Sequence, residues 1–310
     1  MITKHESQTQ TTYMISNKFL NVTLNPSDGM NLYEINYMDT PIVKFYKDRL
    51  LEGKTCSVMT LFPTPNRTKD LSYHFEGNTY STLNHGVVRH APFTVSEIRS
   101  SEDGGVIRAY LEFHSKTEQN VVKELSHFPF DCRLTIEIEL NLNCLTYRYY
   151  VENKGEKVFP YGIAIHPFFE TNGENPSITV HADHRMLTDE NKLPTGQLME
   201  VKDAYDLRHP QKLNSLSLDD VYTSIYQQPV AEINYQDKVI HLSTSDEFKK
   251  VVVYTPNEPQ FFCIENQTCS TDAINLHNRG FEQEASVLVV RPGEIKEGFI
   301  QFTFLERTSD

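Results

Sequence analysis

The sequence predicts an all-β protein, built as one large antiparallel β domain with two packed sheets and few short helices. Apolar and polar residues alternate in many short runs, and no window of about a dozen residues keeps a clean helical repeat between capping residues. Proline interrupts the helical candidates, and neither a linker nor a shift in composition divides the chain. We therefore expect residues 1–310 to form a single domain.

The clearest strands are predicted around residues 134–151. From Leu134 to Cys144 the apolar residues hold the even positions, and after Leu145 they hold the odd ones. Because successive side chains of a strand point to opposite faces, this indicates strands with one wet face and a turn or bulge near Asn143. Further strand signals lie at 107–113, 231–243 (a hairpin turning at Gln236 and Asp237), 251–254, 286–290 and 298–305.

Composition excludes several classes of partner. The chain has 29 Lys and Arg against 42 Asp and Glu, a net charge of −13, which argues against nucleic acid and against an anionic membrane surface. No apolar run approaches the ~20 residues that span a bilayer, and the first residues contain no signal-peptide-like stretch. Five cysteines without a Cys-x-x-Cys spacing argue against a disulfide framework and a structural zinc site. We expect a soluble cytoplasmic protein with reduced thiols.

Two polar loops could form part of a binding pocket. Pro63 and Pro65 stiffen the segment before Arg67, so that its guanidinium is positioned for hydroxyls or an anion; an ordinary surface arginine is the alternative. In the second loop, Gly86 permits a positive φ or a close backbone approach beside His85. Spacing alone does not separate a pocket rim from a solvated hairpin loop, and no acidic or Cys partner completes a metal site here.

Two strand segments each carry one titratable side chain on an apolar background. A short strand runs into His166, and Pro167 interrupts the ladder, so we expect His166 at a strand end, as a proton donor near neutral pH or as a buried core residue. In the other segment Phe261, Cys263 and Glu265 share a face if it is a strand. A carboxylate there needs a partner or a raised pKa, as a general base does, unless Glu265 lies past the strand end in water.

One acid and one base would serve proton transfer without a covalent or metal step. The sequence has no nucleophile elbow, phosphate-cradling glycine loop or dinucleotide fingerprint. The residues alone therefore indicate an acid/base enzyme, or a binding module, for a neutral polyhydroxylated ligand.

Over nearly its whole length the chain resembles the aldose 1-epimerase (galactose mutarotase) family. Eight short motifs occur in the family's order: Pro65-Asn66-Arg67, Asn84-His85-Gly86, the run from Asn153 through Pro160-Tyr161-Gly162 to His166-Pro167-Phe168-Phe169, Leu193-Pro194-Thr195-Gly196, Tyr205-Asp206-Leu207-Arg208, Leu218-Asp219-Asp220, Phe262-Cys263-Ile264-Glu265 and Arg291-Pro292-Gly293-Glu294.

The resemblance implies a β-supersandwich with an open sugar cleft and an enzyme that interconverts the anomers of a hexose without cofactor or metal. It implies His166 as general acid and Glu265 as general base. The implied sugar-binding residues are Arg67, His85 and Asp219, with Asp220 as the alternative to Asp219, and Asn66 and Arg89 are further candidates for substrate contacts. Family members occur as monomers and homodimers, and we expect one of these states.

The chain departs from the family in its aromatic residues and at Arg89. Many relatives have Trp after the His-Gly motif and after the catalytic Glu, whereas this chain has no Trp, with Phe93 and Thr268–Ser270 in those regions. Arg89 could bind phosphate, as in the hexose-6-phosphate epimerases of the superfamily, although an exposed salt bridge in a hairpin is the preferred interpretation. A 6-phosphosugar epimerase and a non-catalytic sugar-binding β-sandwich therefore stay open as alternatives.

Overall fold

The computed structural model of the protein describes residues 1–7, 10–52, 54–258 and 260–307. Within these residues the regular structure is mostly strand, arranged in two large sheets and two small ones. The predicted all-β antiparallel fold is confirmed.

The larger sheet contains twelve of the strands in the described residues. Numbered in chain order over the whole protein, they are β1 (Ile2–Glu6), β2 (Thr11–Ser16), β3 (Leu20–Asn25), β4 (Asn31–Tyr37), β5 (Thr40–Val43), β6 (Val58–Leu61), β14 (Ala164–Glu170), β16 (Ala182–Thr188), β17 (Pro194–Glu200), β19 (Asp219–Ile225), β22 (Lys250–Tyr254) and β23 (Phe261–Gln267). Their order is β1-β2-β3-β4-β5-β14-β23-β22-β19-β16-β17, with β6 paired to both β14 and β4.

The second large sheet has nine strands within the described ranges. They are β9 (Thr94–Ser101), β10 (Gly104–Phe113), β11 (Cys132–Asn141), β12 (Cys144–Asn153), β15 (Ser177–Val180), β18 (Gln211–Lys212), β20 (Ala231–Asn234), β21 (Lys238–Thr244) and β25 (Ile295–Glu306), in the order β18-β15-β20-β21-β25-β12-β11-β10-β9. Two small sheets pair β7 (Ser72–Phe75) with β8 (Asn78–Ser81) and β13 (Phe159–Tyr161) with β24 (Leu288–Val290).

Helices are few and short, as the sequence predicts. The α-helices of the described residues are α1 (Lys47–Leu51), α2 (Ala273–Asn278) and α3 (Glu282–Ala285), and single 3-10 turns lie at Lys69–Leu71, Thr117–Gln119, Lys123–His127, Asp203–Tyr205 and Leu213–Ser215. None of the described helices has the length and apolar character needed to cross a membrane.

The alternating runs form the strands that they predict. Strands β11 and β12 pair from Cys132 opposite Asn153 to Asn141 opposite Cys144, so the change of register marks the turn between them. The runs at 107–113, 251–254 and 298–305 lie in β10, β22 and β25, and the 231–243 run is the β20–β21 hairpin. The 286–290 run is shorter than predicted, since Ser286 ends α3 with a φ of 54° and β24 begins at Leu288.

The centre of the larger sheet is buried on both faces. From β14, Ile165 and Phe169 enter the main core between the two large sheets, while Phe168 packs with Phe261 and Cys263 on the opposite face. All seven residues of β14 and all seven of β23 are buried. Strands of this kind read as near-continuous apolar runs, so a polar side chain within them stands out.

Candidate active site

His166 and Glu265 face each other across two neighbouring strands. Strands β14 and β23 pair at Ala164 with Gln267 and at Phe168 with Cys263, and the midpoint of this register sets His166 opposite Glu265. Side chains in directly opposed positions of an antiparallel pair lie close together. Here the His166 Nε2 atom lies 3.3 Å from Glu265 Oε1.

The prediction that His166 ends its strand is wrong. Pro167 lacks an N–H, and the ladder between β14 and β23 does lapse between Ala164 and Phe168. On its other side, however, β14 pairs with β6 from Ala164 to Pro167, so the strand continues to Glu170 with His166 in its interior. Glu265 likewise lies inside β23, which makes the alternative of a solvated position past the strand end wrong.

Burial pushes both members of the pair towards their neutral forms. The residues His166 and Glu265 are 5% and 4% exposed. Burial lowers the pKa of His166 well below its usual range, and the nearby His85, Arg49 and Arg89 lower it further. Burial raises the pKa of Glu265 to about 8, assisted by Asp219, while Gln267 and Arg67 act in the opposite direction. At neutral pH the pair therefore holds one proton.

Gln267 positions the Glu265 carboxylate, and the sequence analysis missed it. Its Nε2 atom donates a hydrogen bond of 3.0 Å to Glu265 Oε2, which leaves Oε1 directed at His166. Gln267 is completely buried in β23. Its position two residues after Glu265, and hence on the same strand face, is the sequence signal that could have revealed it.

Backbone hydrogen bonds join the two predicted loops. The His85 N–H donates to Asn66 O over 2.7 Å, and the Val87 N–H donates to Phe62 O over 2.7 Å. Gly86 has a φ of +75°, and a Cβ atom added there would lie 2.1 Å from Phe62 O. The close approach and the positive φ expected of Gly86 are thus both present, and they bring Arg67 and His85 to one wall.

Arg67 and His85 line the same cleft as the acid–base pair. Arg67 Nη2 lies 3.5 Å from Asp219 Oδ2, and the Arg67 carbonyl accepts a hydrogen bond from the Asp272 N–H over 2.9 Å. The His85 ring is 5.7 Å from the His166 ring between centroids. Burial, with Arg89 and Arg67 nearby, lowers the pKa of His85 to about 4, so this imidazole is neutral at physiological pH.

The two neighbouring aspartates point in different directions. Asp219 lines the cleft. Asp220 instead forms an ion pair with Arg185, whose Nη1 atom is 3.0 Å from Asp220 Oδ1. The geometry therefore favours Asp219 over Asp220 as a cleft residue.

Arg89 does not form the salt bridge that the sequence analysis preferred. It is half-buried and lines the cleft. Within the described part of the chain, no carboxylate forms an ion pair with its guanidinium. The loop folds back onto the larger sheet, where the Arg89 carbonyl accepts a hydrogen bond from Asn31 Nδ2 over 2.7 Å, so it is not an exposed hairpin.

The cleft has a volume of about 550 Å³ and brings together all seven predicted residues. Arg49 and Lys54, which the sequence analysis missed, add positive charge to its wall. The Arg49 guanidinium carbon lies 5.1 Å from the centroid of the Phe168 ring, and this ring stacks on His166 with centroids 4.7 Å apart. Arg49 lies in α1 and Lys54 just after it. No motif surrounds them, so the local sequence does not indicate that they belong to a site.

Apart from its histidines, the cleft has one aromatic side chain among its described lining residues, and it is not Phe93. Phe93 is buried in the main core, whereas Tyr254 is an aromatic residue of the cleft. In the described ranges no three His, Cys, Asp or Glu side chains form a group that could hold a metal ion.

A sequence model of the family described as aldose 1-epimerase matches residues 31–303 of the chain. The chain belongs to the aldose 1-epimerase family. The matched region contains both members of the acid–base pair and every residue of the cleft.

Solved structures share the fold of this aldose 1-epimerase family member. A galactose mutarotase-like protein from Clostridium acetobutylicum superposes with a TM-score of 0.84 at 16% identity, with 99% of each chain covered. Galactose 1-epimerase from Lactobacillus acidophilus NCFM gives 0.80 at 14%, again with 99% of each chain covered. A GalM/aldose epimerase homologue from C. elegans gives 0.77 at 18%, covering 95% of this chain and 98% of its own. At these identities the likeness establishes the fold alone.

Proposed function

We propose that this protein is an aldose 1-epimerase that interconverts the α and β anomers of a hexose by opening and closing the sugar ring. The observation that carries the proposal is the pair of His166 and Glu265, with 3.3 Å between Nε2 and Oε1, at a cleft large enough for a pyranose. Anomerisation needs one group that takes a proton and one that gives a proton, and these two side chains supply both.

In the proposed reaction Glu265 serves the anomeric hydroxyl and His166 serves the ring oxygen. Glu265 takes the proton from O1, His166 gives a proton to the ring oxygen, and the bond between C1 and the ring oxygen breaks to leave an aldehyde. The C1–C2 bond then rotates. Closure on the other face returns the proton from the ring hydroxyl to His166, and Glu265 reprotonates O1.

The pKa shifts favour the protonation state at one end of this cycle. Ring opening starts from the carboxylate and the imidazolium and ends with a protonated Glu265 and a neutral His166, so the proton count of the pair is unchanged. Burial favours this neutral form, as the directions of both shifts indicate. The free pair therefore rests in the neutral form, and a proton must pass from Glu265 to His166, across the 3.3 Å between Oε1 and Nε2, before ring opening begins. General acid and base catalysis contributes ~10²–10⁴-fold each.

The walls of the cleft would hold the sugar during rotation. Arg67 and the neutral His85 offer hydrogen-bond donors, and Asp219 offers acceptors, all within one cleft. Asn66 supports Arg67 through its Oδ1 atom, which accepts a hydrogen bond of 2.8 Å from the Arg67 N–H. Holding the substrate hydroxyls supplies the orientation that the proton transfers need.

Polarimetry of freshly dissolved α-D-galactose and α-D-glucose tests the proposal. We expect the wild type to accelerate the approach to the anomeric equilibrium, and Glu265→Gln and His166→Ala to lose most of this acceleration. His209→Ala and Glu190→Gln, at exposed positions outside the cleft, are the matched controls. Sugar binding without acceleration by the wild type would instead favour the non-catalytic sugar-binding alternative.

A second candidate substrate is a hexose 6-phosphate. Arg89 favours it, since it lines the cleft and lacks an ion-pair partner in the described residues. Arg49 and Lys54 also line the cleft, where they pair with Glu258 and Glu52. A phosphate would supply the missing anion. Comparison of kcat/KM for glucose and glucose 6-phosphate separates the two: a large phosphate preference that Arg89→Met removes selects the phosphosugar, and equal values select the free aldose.

A further inference from the structure

A second groove, which we call the Lys250 groove, lies on the same sheet face but outside the candidate active site. It has a volume of about 670 Å³ and lies between the end of β19, the segment 245–250 and helix α3. Small-molecule sites commonly have volumes of ~300–1,000 Å³. Along β22, Val252 and Tyr254 line the cleft whereas Lys250 lines this groove, and helices α2 and α3 pack on Val252 between them.

The groove contains a buried ammonium group without a counter-ion. Lys250 is 2% exposed, and its Nζ atom donates a hydrogen bond of 2.8 Å to Thr223 Oγ1. The Thr223 hydroxyl donates its own proton to Lys249 O over 3.3 Å, so Thr223 accepts from Lys250 and offers it no charge. No carboxylate in the described ranges forms an ion pair with Lys250.

The groups around Lys250 do not neutralise it. Cys269, just past the end of β23, is a thiol whose own pKa burial raises to about 12, so it stays uncharged. Glu284 on α3 and Asp246, which also line the groove, form no ion pair with Lys250, and Lys249 repels the charge. Burial lowers the pKa of Lys250 to about 8, so the ammonium still predominates at pH 7.

A buried, unpaired cation reduces the stability of a fold, so its presence at a groove points to a ligand. We propose that the Lys250 groove binds a small molecule through a carboxylate or phosphate group, with Lys250 as the counter-ion. The hydroxyl and amide side chains along the groove, among them Ser224, Gln227 and Ser286, would meet the rest of a polar ligand. This site is independent of the acid–base chemistry at Glu265.

Binding of acetate and of inorganic phosphate, at constant ionic strength against chloride, tests the proposal. The dissociation constants come from the rise of Tm with anion concentration. We expect Lys250→Met to weaken the binding of at least one anion by 10-fold or more, and Lys116→Met, which removes an exposed lysine outside the groove, to change it less than 2-fold. Selective loss of acetate binding assigns a carboxylate ligand, and selective loss of phosphate binding assigns a phosphate. Equal anion binding by the wild type and Lys250→Met overturns the proposal.

Two further readouts separate ligand binding from a structural role. In the absence of anion, Lys250→Met should be at least as stable as the wild type, because it removes an uncompensated buried charge. In the wild type, side-chain NMR of the Lys250 amine should show that its pKa rises as the anion saturates the groove. The affinity of the groove for the anion should fall about 10-fold for each pH unit above pH 8, because Lys250 then loses its proton. An unchanged Lys250 pKa at saturating acetate and phosphate overturns the proposal even if the variant fails to fold.

Discussion

Gln267 donates a hydrogen bond of 3.0 Å to Glu265 from two positions along the same strand face, and Glu265 in turn faces His166 at 3.3 Å. The pairing register of β14 and β23 fixes this arrangement. One amide, one carboxyl group and one imidazole thus lie in a buried row across two neighbouring strands.

The pH dependence of kcat/KM should show that the His166–Glu265 pair must hold one proton to be active. Above the pKa of Glu265, about 8, the pair loses that proton and has no acid left to protonate the ring oxygen. We expect kcat/KM, corrected for the spontaneous rate, to fall about 10-fold for each pH unit above this value. Initial rates from pH 6 to 10 check this, and a flat profile to pH 10 would contradict it.

Gln267→Leu should move this alkaline limb to higher pH. The lost hydrogen bond favours the carboxylate, so its removal raises the pKa of Glu265 further. Hydrogen bonds to charged groups contribute about 1.5–3 kcal/mol, which corresponds to about one to two pH units. The comparison uses the same pH–rate profile, with Gln197→Leu at an exposed position as the control. An unshifted limb in Gln267→Leu would show that this contact is not made in solution.

Gly86→Ala should displace both the loop that carries His85 and the loop that carries Arg67. The added Cβ would lie 2.1 Å from Phe62 O at a φ of +75°, so the backbone must move, and with it His85 and the neighbouring Arg67 loop. Gly77 is a matched control, because it has a φ of +73° with nothing within 4 Å of its added Cβ. Both variants carry the ~1 kcal/mol cost of a positive φ, and only Gly86→Ala adds the clash.

Denaturant unfolding and sugar affinity measure the difference between the two glycine variants. Gly86→Ala should lose more unfolding free energy than Gly77→Ala and should bind sugar more weakly, whereas Gly77→Ala should bind sugar as the wild type does. Equal losses of unfolding free energy in both variants would mean that the clash of the added Cβ with Phe62 O does not destabilise the fold.

Glu265→Gln should be more stable than the wild type at alkaline pH. The folded-state pKa of Glu265, about 8, lies above its ordinary value of 4.5, so the folded protein binds a proton that the unfolded chain releases. The stability that this proton contributes is lost as pH rises through 8. We therefore expect the advantage of Glu265→Gln in unfolding free energy to be larger at pH 8 than at pH 5. A difference that does not change with pH, like that expected for the exposed control Glu190→Gln, would contradict the raised pKa.

The sequence predicted well the strands with one wet face and less well those buried on both. The alternation from Leu134 to Val151 matched β11 and β12 because one face of that pair is largely buried and the other is mostly only half-buried. β14 has no such contrast, so Pro167 alone predicts a strand end at His166, although the ladder lapses on one side only.

Other parts of the fold and of the site are indicated weakly or not at all by the local sequence pattern. Strands β1 to β6 are short, so even the alternation of β3, with Leu20, Val22 and Leu24 inside, is a weak signal. Arg49 and Lys54 reach the cleft only through the path of the chain around α1, which no local pattern determines. The resemblance to the family predicted Asp219 as a sugar-binding residue with Asp220 as the alternative. Only the structure distinguishes them, because Asp219 lines the cleft and Asp220 pairs with Arg185.

Whether His166 and Glu265 act as one unit is measured by a double-mutant cycle in the polarimetric rate. Glu265→Gln, His166→Ala and the double variant are compared on the same aldose. Residues that act as a unit are strongly non-additive. We predict that the double variant is about as slow as either single variant. Losses that multiply in the double variant would show that the two groups act independently, and single variants that keep the wild-type rate would show that neither transfers the proton.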